Sequence, residues 1–259
     1  MPLMNLNAML NKLQQQYASP DRFWLKHIVP TLIFILLMLL VYPHTHLDTR
    51  ITDLFFDAQL HRFTLKNDPF LTIWMHVRLK WLMVAIALAS LVLALLSYRL
   101  SSLNEYRLSL LWVFTGMVIS TTAVTVFKHY SMHGCPWDIA LYGGSLPLLD
   151  LLTSPPAGSE AGRCFPAGHP SGGFALMAFY FAFMHIKPRF SVLMLWVGLL
   201  MGLLMGLVQI MRGAHFLSHV LWSGWLVWMV LLALYWLWPL GKSASRSQGA
   251  SFALLMLRE

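Results

Sequence analysis

Long apolar stretches decide the fold, and residues 190–211 are the clearest of them. They read FSVLMLWVGLLMGLLMGLVQIM, without a single Lys, Arg, Asp or Glu. A helix that crosses a bilayer needs about 20 mostly apolar residues, which this stretch supplies. Gly198, Gly202 and Gly206 recur at every fourth position, a spacing that predicts a ridge where another helix packs closely. The stretch therefore predicts a membrane-spanning helix with one tightly packed face.

Five further stretches have the same character. They also lack Lys, Arg, Asp and Glu, and they cover residues 28–43, 81–98, 108–127, 170–184 and 216–240. Hydrophobic residues make up 58% of the chain and charged residues 11%, too few charges for a water-soluble surface. The net charge of +8 is therefore no indication of nucleic-acid binding. We predict an all-α, polytopic membrane protein with six transmembrane helices.

The placement of Lys and Arg favours one orientation of these helices. The connections 99–107 and 187–189 are short and basic, and short basic loops usually stay in the cytoplasm. We therefore predict cytoplasmic segments at 1–27 and 241–259, on either side of a membrane domain at 28–240.

Two longer connections then face outward. Apolar residues at helical spacing in segment 44–80 predict a helix lying in the membrane interface. Segment 128–168 is rich in Gly, Pro and Ser, a composition typical of loops that carry functional residues. We predict that this second segment is an outer active-site loop.

Three clusters of polar residues lie at the predicted outer ends of the last four spans. They read KHYSMHGCPWD (128–138), RCFPAGHPSGG (163–173) and QIMRGAHFLSH (209–219). Ionisable groups near membrane depth are costly to keep, so they are functional candidates by default. The predicted topology brings all three clusters to one face of the membrane, which favours a single outer-face active site.

These clusters resemble the motifs of the type-2 phosphatidic acid phosphatase superfamily, over roughly residues 80–240. The family pattern is Lys-x6-Arg-Pro, then Pro-Ser-Gly-His, then Ser-Arg-x5-His-x3-Asp. Order and spacing agree when Lys128, His169 and His215 are the matched Lys and His residues. The chain then departs from the family pattern at Cys135 (Arg), Ala167 (Ser), Val208 (Ser), Gln209 (Arg) and His219 (Asp).

A competing alignment takes Arg212 as the family Arg and His219 as the family His. Six residues then separate the two, and Ser223 stands in place of the Asp. We prefer the alignment on His215 because it keeps the family spacing intact.

The resemblance implies removal of phosphate from a lipid phosphate or diphosphate, with no metal and no other cofactor. His215 would attack phosphorus and form a phosphohistidine intermediate. His169 would protonate the leaving lipid oxygen and then activate water for the second step. His219, standing where the family has Asp, could accept the Nδ1 proton of His215 and fix its tautomer.

Phosphoryl transfer also needs groups that hold the phosphate oxygens and absorb charge in the transition state. Lys128 and the backbone amide of Gly168 match the family motifs. Arg212 and Arg163 are nearby cations that could replace the two missing arginines. By contrast, we interpret His129, His133 and His185 as polar anchors at the membrane interface; these three have no assigned chemical role.

The two cysteines of the chain, Cys135 and Cys164, both fall in the predicted outer loop. In an oxidising compartment a disulfide bond is the natural hypothesis, and two free thiols are the alternative. The bond would tie the first polar cluster to the second, at the position where the family has an Arg.

Two other functions remain open from the sequence. His215 and His219 lie one helical turn apart and could bind a metal ion with Cys135, Cys164 or His133. Alternatively, the changed motif positions could leave a protein that binds lipid phosphates without turnover. Our prediction is an enzyme of the cell inner membrane with its site facing the periplasm. Its expected partners are the membrane and a lipid phosphate substrate, and phosphotransfer to a second lipid would use the same residues.

Overall fold

The structure, a computed structural model, describes residues 20–240 except 152, 154–157 and 159. The predicted tail at 241–259 and most of the predicted segment 1–27 lie outside the described residues. The α-helices are α1 (Pro20–Leu40), α2 (Leu47–Asp53), α3 (Leu79–Leu96), α4 (Arg107–His129), α5 (Gly168–Phe174), α6 (Ala178–Phe183), α7 (Pro188–Met211) and α8 (Leu217–Leu237). Strands β1 (Phe56–Asp57) and β2 (Arg62–Phe63) form an antiparallel hairpin, and a π-helical segment (Phe70–Arg78) leads into α3. Short 3₁₀ turns cover Tyr42–Thr45, Ser101–Tyr106, Pro136–Asp138, Ala140–Tyr142 and Ala175–Met177.

Five helical stretches in the described part of the chain are long and apolar enough to cross a membrane. They are Phe23–Leu40, Phe70–Leu96, Ser101–His129, Pro188–Met211 and Leu217–Leu237. These agree with five of the six predicted spans, although their ends differ. The protein is therefore an all-α membrane protein.

The predicted fourth span, 170–184, has a different form. It is helical from Gly168 to Phe183, but a 3₁₀ turn at Ala175–Met177 divides it into α5 and α6, so neither piece has the length of a span. Ala175, Ala178 and Phe181 have no exposed surface, and the pieces pack against α4, α7 and α8. This stretch forms the centre of the helical bundle.

The second span begins earlier than the sequence predicted. The helix starts at Phe70, whereas we expected it to start at Trp81 after an interfacial segment 44–80. The predicted span begins only after Arg78 and Lys80 because it contains no charged residue. In the structure the Arg78 guanidinium lies 5.4 Å from the ring centre of Trp74, one turn away on the same helix, so the helix continues past these charges. Residues 70–80 therefore belong to the second span.

The glycine ridge of α7 packs as the sequence predicted. A β-carbon on Gly202 would collide with the ring of Phe174 in α5, and one on Gly206 would collide with Val220 in α8. From the other side, a β-carbon on Gly173 would lie 2.7 Å from the backbone nitrogen of Gly202. The backbones of α5 and α7 approach closely here, which fixes the end of α5 against the middle of α7.

Residues 1–47 form a separate compact unit from 48–259. Within its described part, α1 continues through Pro30 and is followed by the 3₁₀ turn Tyr42–Thr45. Thr31 donates a hydrogen bond from its hydroxyl to the carbonyl oxygen of His27 at 2.6 Å, so this polar side chain is satisfied within the helix.

Candidate active site

The three polar clusters meet at one end of the bundle, where α4 ends, α5 begins, and α7 is joined to α8. Lys128 is in the last turn of α4. A β-carbon on Gly168, the first residue of α5, would lie 3.8 Å from the Lys128 ammonium nitrogen. Because glycine has no side chain, the ammonium group sits directly beside the backbone that leads to His169.

His215 and His219 form a buried pair at the start of α8. Both are about 5% exposed or less, and their Nδ1 atoms lie 3.5 Å apart. At that distance one ring donates its Nδ1 proton and the other accepts it. The backbone amide of Ala167 donates to the carbonyl oxygen of His219 at 3.0 Å, which ties this pair to the turn that precedes His169.

A disulfide bond joins Cys135 to Cys164, 29 residues apart in the chain. The Cys164 sulfur lies 3.3 Å from Nδ1 of His215 and 3.0 Å from the carbonyl oxygen of Ala214. The backbone amide of Cys164 also donates to the carbonyl oxygen of His133 at 3.0 Å. The bond therefore joins the first two clusters and packs against the buried histidine of the third.

We expect the double substitution Cys135→Ser/Cys164→Ser to lower stability by about 3–4 kcal/mol, because it frees a loop of about 30 residues in the unfolded chain. It should also lower any activity that depends on His215, since the packed sulfur is lost. Thermal unfolding in detergent measures the first effect. Dithiothreitol should destabilise the wild type and leave the double variant unchanged; equal responses would show that the bond contributes nothing.

His169 faces a second histidine that the sequence prediction had not included. The rings of His169 and His76 lie 4.2 Å apart at an angle of 34°, and Nε2 of His169 is 3.3 Å from the carbonyl oxygen of Met75. Gln209, which is only 3% exposed, places its amide nitrogen 3.0 Å from Nδ1 of His76. The π-helical segment thus contributes a side chain to the site.

Arg212 is brought to this group and Arg163 is not. The Arg212 guanidinium donates to the carbonyl oxygen of Lys66 at 3.1 Å and to the amide oxygen of Gln209 at 3.4 Å. Arg163 has a left-handed backbone (φ 49°) and an exposed side chain, while its backbone amide donates to Ser131. The predicted role of Arg163 in binding phosphate gains no support from this placement.

Residues of α2 and of the β-hairpin that follows it hold the turn that carries His215. The side chain of Asp48 accepts a hydrogen bond from the backbone amide of Ser218 at 2.8 Å, next to His219 in the first turn of α8. The ring of Phe63 covers Gly213, whose φ of 74° suits glycine and leaves no space for a side chain. Part of segment 44–80 therefore supports the site from outside the bundle.

Burial dominates the electrostatics of the site. It lowers the pKa of His215 well below its usual value, and the nearby His219, Lys128 and His169 act in the same direction. Burial also lowers the pKa of His169, which precedes the predicted fourth span, to about 4, with His76 as the next cause. Both imidazoles are therefore neutral at pH 7.

The donor set does not fit the zinc alternative. Ligand atoms of Cys164, His215 and His219 lie within 4.8 Å of one another. However, the Cys164 sulfur is already bonded to Cys135, so neither cysteine offers the thiolate that zinc binds. Two imidazoles of this group remain, and their facing Nδ1 atoms engage each other. The other predicted ligand, His133, is not part of the group that the described residues form.

Several polar side chains near the site have other partners. The Asp138 carboxylate accepts a hydrogen bond from the Trp137 indole at 2.9 Å and makes no contact with His219 among the described residues. His133 lies beside Phe165 and His219, with ring centres 5.1 and 6.5 Å away. His185 hydrogen-bonds to Tyr235 at 2.8 Å. The sequence favours an interfacial anchor at His133, and in the structure its ring lies beside His219 of the buried pair.

Comparisons with known proteins bear on one part of this chain. The family model described as the PAP2 superfamily matches residues 109–242, which is about half of the chain and includes α4 to α8. Neither the curated proteins nor the solved structures gave a significant match. The matched region contains Lys128, His169, His215 and His219, whereas His76 lies before it.

Proposed function

The chain belongs to the PAP2 superfamily, a superfamily of phosphatases, and on that premise we propose that it removes phosphate from membrane lipids that carry a phosphate or diphosphate. The observation that carries the proposal is the buried His215–His219 pair, joined through Nδ1 and packed near Lys128 and His169. A site built into the end of an apolar helical bundle suits a substrate whose tail lies in the bilayer.

In the first step His215 acts as the nucleophile. When its Nδ1 proton is shared with His219, the lone pair on Nε2 is free to attack phosphorus. The P–O bond to the lipid breaks as the N–P bond forms. His169 gives a proton to the departing lipid oxygen, and it must bind that proton from solvent before or during substrate binding.

In the second step water attacks the phosphohistidine. His169 takes a proton from the water, the N–P bond breaks, and Nε2 of His215 regains its lone pair. Lys128 lies beside the Gly168 backbone, where both the ammonium group and the amide can hold phosphoryl oxygens as charge develops. His219 stands in place of the family Asp, so it can orient His215 but cannot add a negative charge.

We further propose that the predicted fourth span, 170–184, also crosses the membrane, which gives six spans, with both termini cytoplasmic and the site on the periplasmic face of the inner membrane. The basic inner loops predicted from the sequence support this orientation. The disulfide bond supports an oxidising compartment at the end of the bundle that holds the site.

Phosphate release from mixed lipid phosphates by the purified protein, with and without EDTA, tests the proposal. Turnover that survives the chelator supports histidine-based chemistry. Turnover abolished by EDTA would move the assignment to a metal-dependent hydrolase. If the wild type released no phosphate but still bound these lipids, the changed motif positions would mark a binding protein.

The lowered pKa values predict an acid-shifted pH profile. Since the pKa of His169 is about 4, the protonated fraction needed for the first step grows about tenfold per pH unit as pH falls from 7 towards 5. The pKa of His215 is also lowered well below its usual value, so protonation of the nucleophile opposes this rise less than it would for an ordinary histidine.

The profile is measured as kcat/KM for the wild type divided by kcat/KM for His169→Gln on the same substrate, so that ionisation of the substrate cancels. We expect this ratio to rise as pH falls from 7 to 5. A ratio that stays constant over this range would mean that protonation of His169 does not limit the first step, contrary to the prediction.

A further inference from the structure

Gln209 occupies the position where the family pattern has an Arg, and its amide has a fixed orientation. It is buried between two partners: Arg212 lies 3.4 Å from its oxygen, and Nδ1 of His76 lies 3.0 Å from its nitrogen. A guanidinium group has only donors, so the amide oxygen must face Arg212. The amide nitrogen therefore faces His76 and donates to it.

This orientation sets the tautomer of His76. Because Nδ1 of His76 accepts a hydrogen bond from Gln209, the proton of the neutral ring lies on Nε2. The His76 ring stacks at 4.2 Å against His169, so it stands beside the proposed proton donor. Among the residues that the structure describes, no group accepts a hydrogen bond from Nε2 of His76. The site thus holds a half-buried N–H donor that has no partner in the described part of the chain.

We propose that His76 is a phosphate-binding residue of this site, which donates from Nε2 to a phosphoryl oxygen where the family pattern would place an arginine. Gln209 and Arg212 are positioning residues: they hold His76 in the tautomer that donates. This inference rests on the proposed function, because it assigns a role in holding the same phosphoryl group. It also explains how a site that lacks two of the family arginines keeps enough donors.

The chain position of His76 is consistent with a substitution of this kind. His76 lies in the π-helical segment before α3, outside the matched region 109–242. Extra residues in a π-helical turn change the direction in which side chains point, and such turns are frequent at functional sites. A hydrogen-bond donor from another helix can therefore serve the phosphate-binding position that the family pattern gives to an arginine.

A matched pair of substitutions tests the proposal. His76→Phe keeps a ring against His169 but removes the N–H, whereas His76→Gln places an amide N–H near the position of Nε2. His129→Phe is the control, because His129 is an exposed residue at the end of α4 that contacts the ring of Tyr130. Affinity for inorganic phosphate is measured by titration calorimetry on the full-length protein in detergent, together with KM and kcat.

We expect His76→Phe to weaken phosphate binding and raise KM by about ten- to a hundredfold, the usual effect of losing a hydrogen bond to a charged group. His76→Gln should return both values to within a few-fold of the wild type, and His129→Phe should change neither. Unchanged phosphate affinity in His76→Phe would overturn the proposal. So would equal weakening in both His76 variants, which would indicate a packing role for the ring.

If His76→Phe fails to fold, Gln209→Met provides a second test, because it removes the amide donor and leaves His76 in place. We expect it to weaken phosphate binding several-fold, and unchanged binding would overturn the proposal. A wild type that binds phosphate in a His76-dependent way but releases none from lipids would refute the proposed function alone. A wild type that turns over lipid phosphates with no dependence of phosphate affinity on His76 would refute this inference alone.

Discussion

His215→Asn is expected to abolish phosphate release, with kcat lowered by roughly 10³–10⁶, the range seen when a nucleophile is removed from an enzyme of this kind. The amide nitrogen of Asn can take the place of Nδ1, so the hydrogen bond to His219 at 3.5 Å can be kept. The Nε2 atom, which is proposed to attack phosphorus, is lost. The substitution therefore separates the nucleophile from the packing of the pair.

Two measurements test this prediction. Release of phosphate gives the loss in rate, and an acid-labile, base-stable phosphoprotein after rapid quenching identifies a phosphohistidine in the wild type. The variant should form neither product. His129→Asn, at an exposed position, should behave as the wild type. Retained turnover in His215→Asn would exclude His215 as nucleophile, and His219 under the competing alignment would be tested next.

The residues that form the core of the site could be predicted because their signal is local. The spacing between His215 and His219 predicts two neighbouring rings, Lys128 follows the third predicted span, and His169 directly precedes the fourth. These expectations need only the helical periodicity and the number of membrane crossings. In the structure Lys128, Gly168, His215 and His219 lie at one end of the bundle, but α8 begins at Leu217, so His215 belongs to the turn before it.

The contribution of His76 could not be predicted, because it depends on contacts between residues far apart in the chain. Its hydrogen bond to Gln209 joins residues 133 positions apart, and its stacking on His169 joins two different helices. One local signal existed: His76 is an ionisable residue within an otherwise apolar run from Phe70. Because the predicted spans contain no charged residue, the second one begins at Trp81, after Arg78 and Lys80, and leaves His76 outside.

The predicted role of Arg163 rests on a weaker signal for a related reason. Its distance from His169 in the chain suggested a nearby cation, but the loop around it is not helical, so sequence spacing says little about direction. A left-handed backbone at Arg163 and pairing of its amide with Ser131 leave its side chain exposed. Arg212, by contrast, directly follows α7, and its spacing of three residues from Gln209 brings the two side chains together.

Lys128→Met is expected to lower kcat/KM by about 10²–10³, the usual loss when one group that stabilises transition-state charge is removed. The effect should lie towards the upper end of this range for a structural reason. The two arginines of the family pattern are replaced here by Cys135, which is locked in a disulfide, and by Gln209, which is neutral. Fewer cations share the developing charge, so each remaining one carries more of it.

Met is the informative replacement because its unbranched side chain can keep the contact that the Lys128 stem makes with Gly168, where a β-carbon would lie 3.5 Å from Cδ. Lys128→Arg should recover part of the activity, since it restores the charge with a different shape. Lys187→Met, whose ammonium group lies near the Tyr106 ring away from the site, serves as the control for losing a lysine. Activity of Lys128→Met within threefold of the wild type would mean that the other donors of the site hold the phosphate without the ammonium group. That result would contradict the role proposed for Lys128.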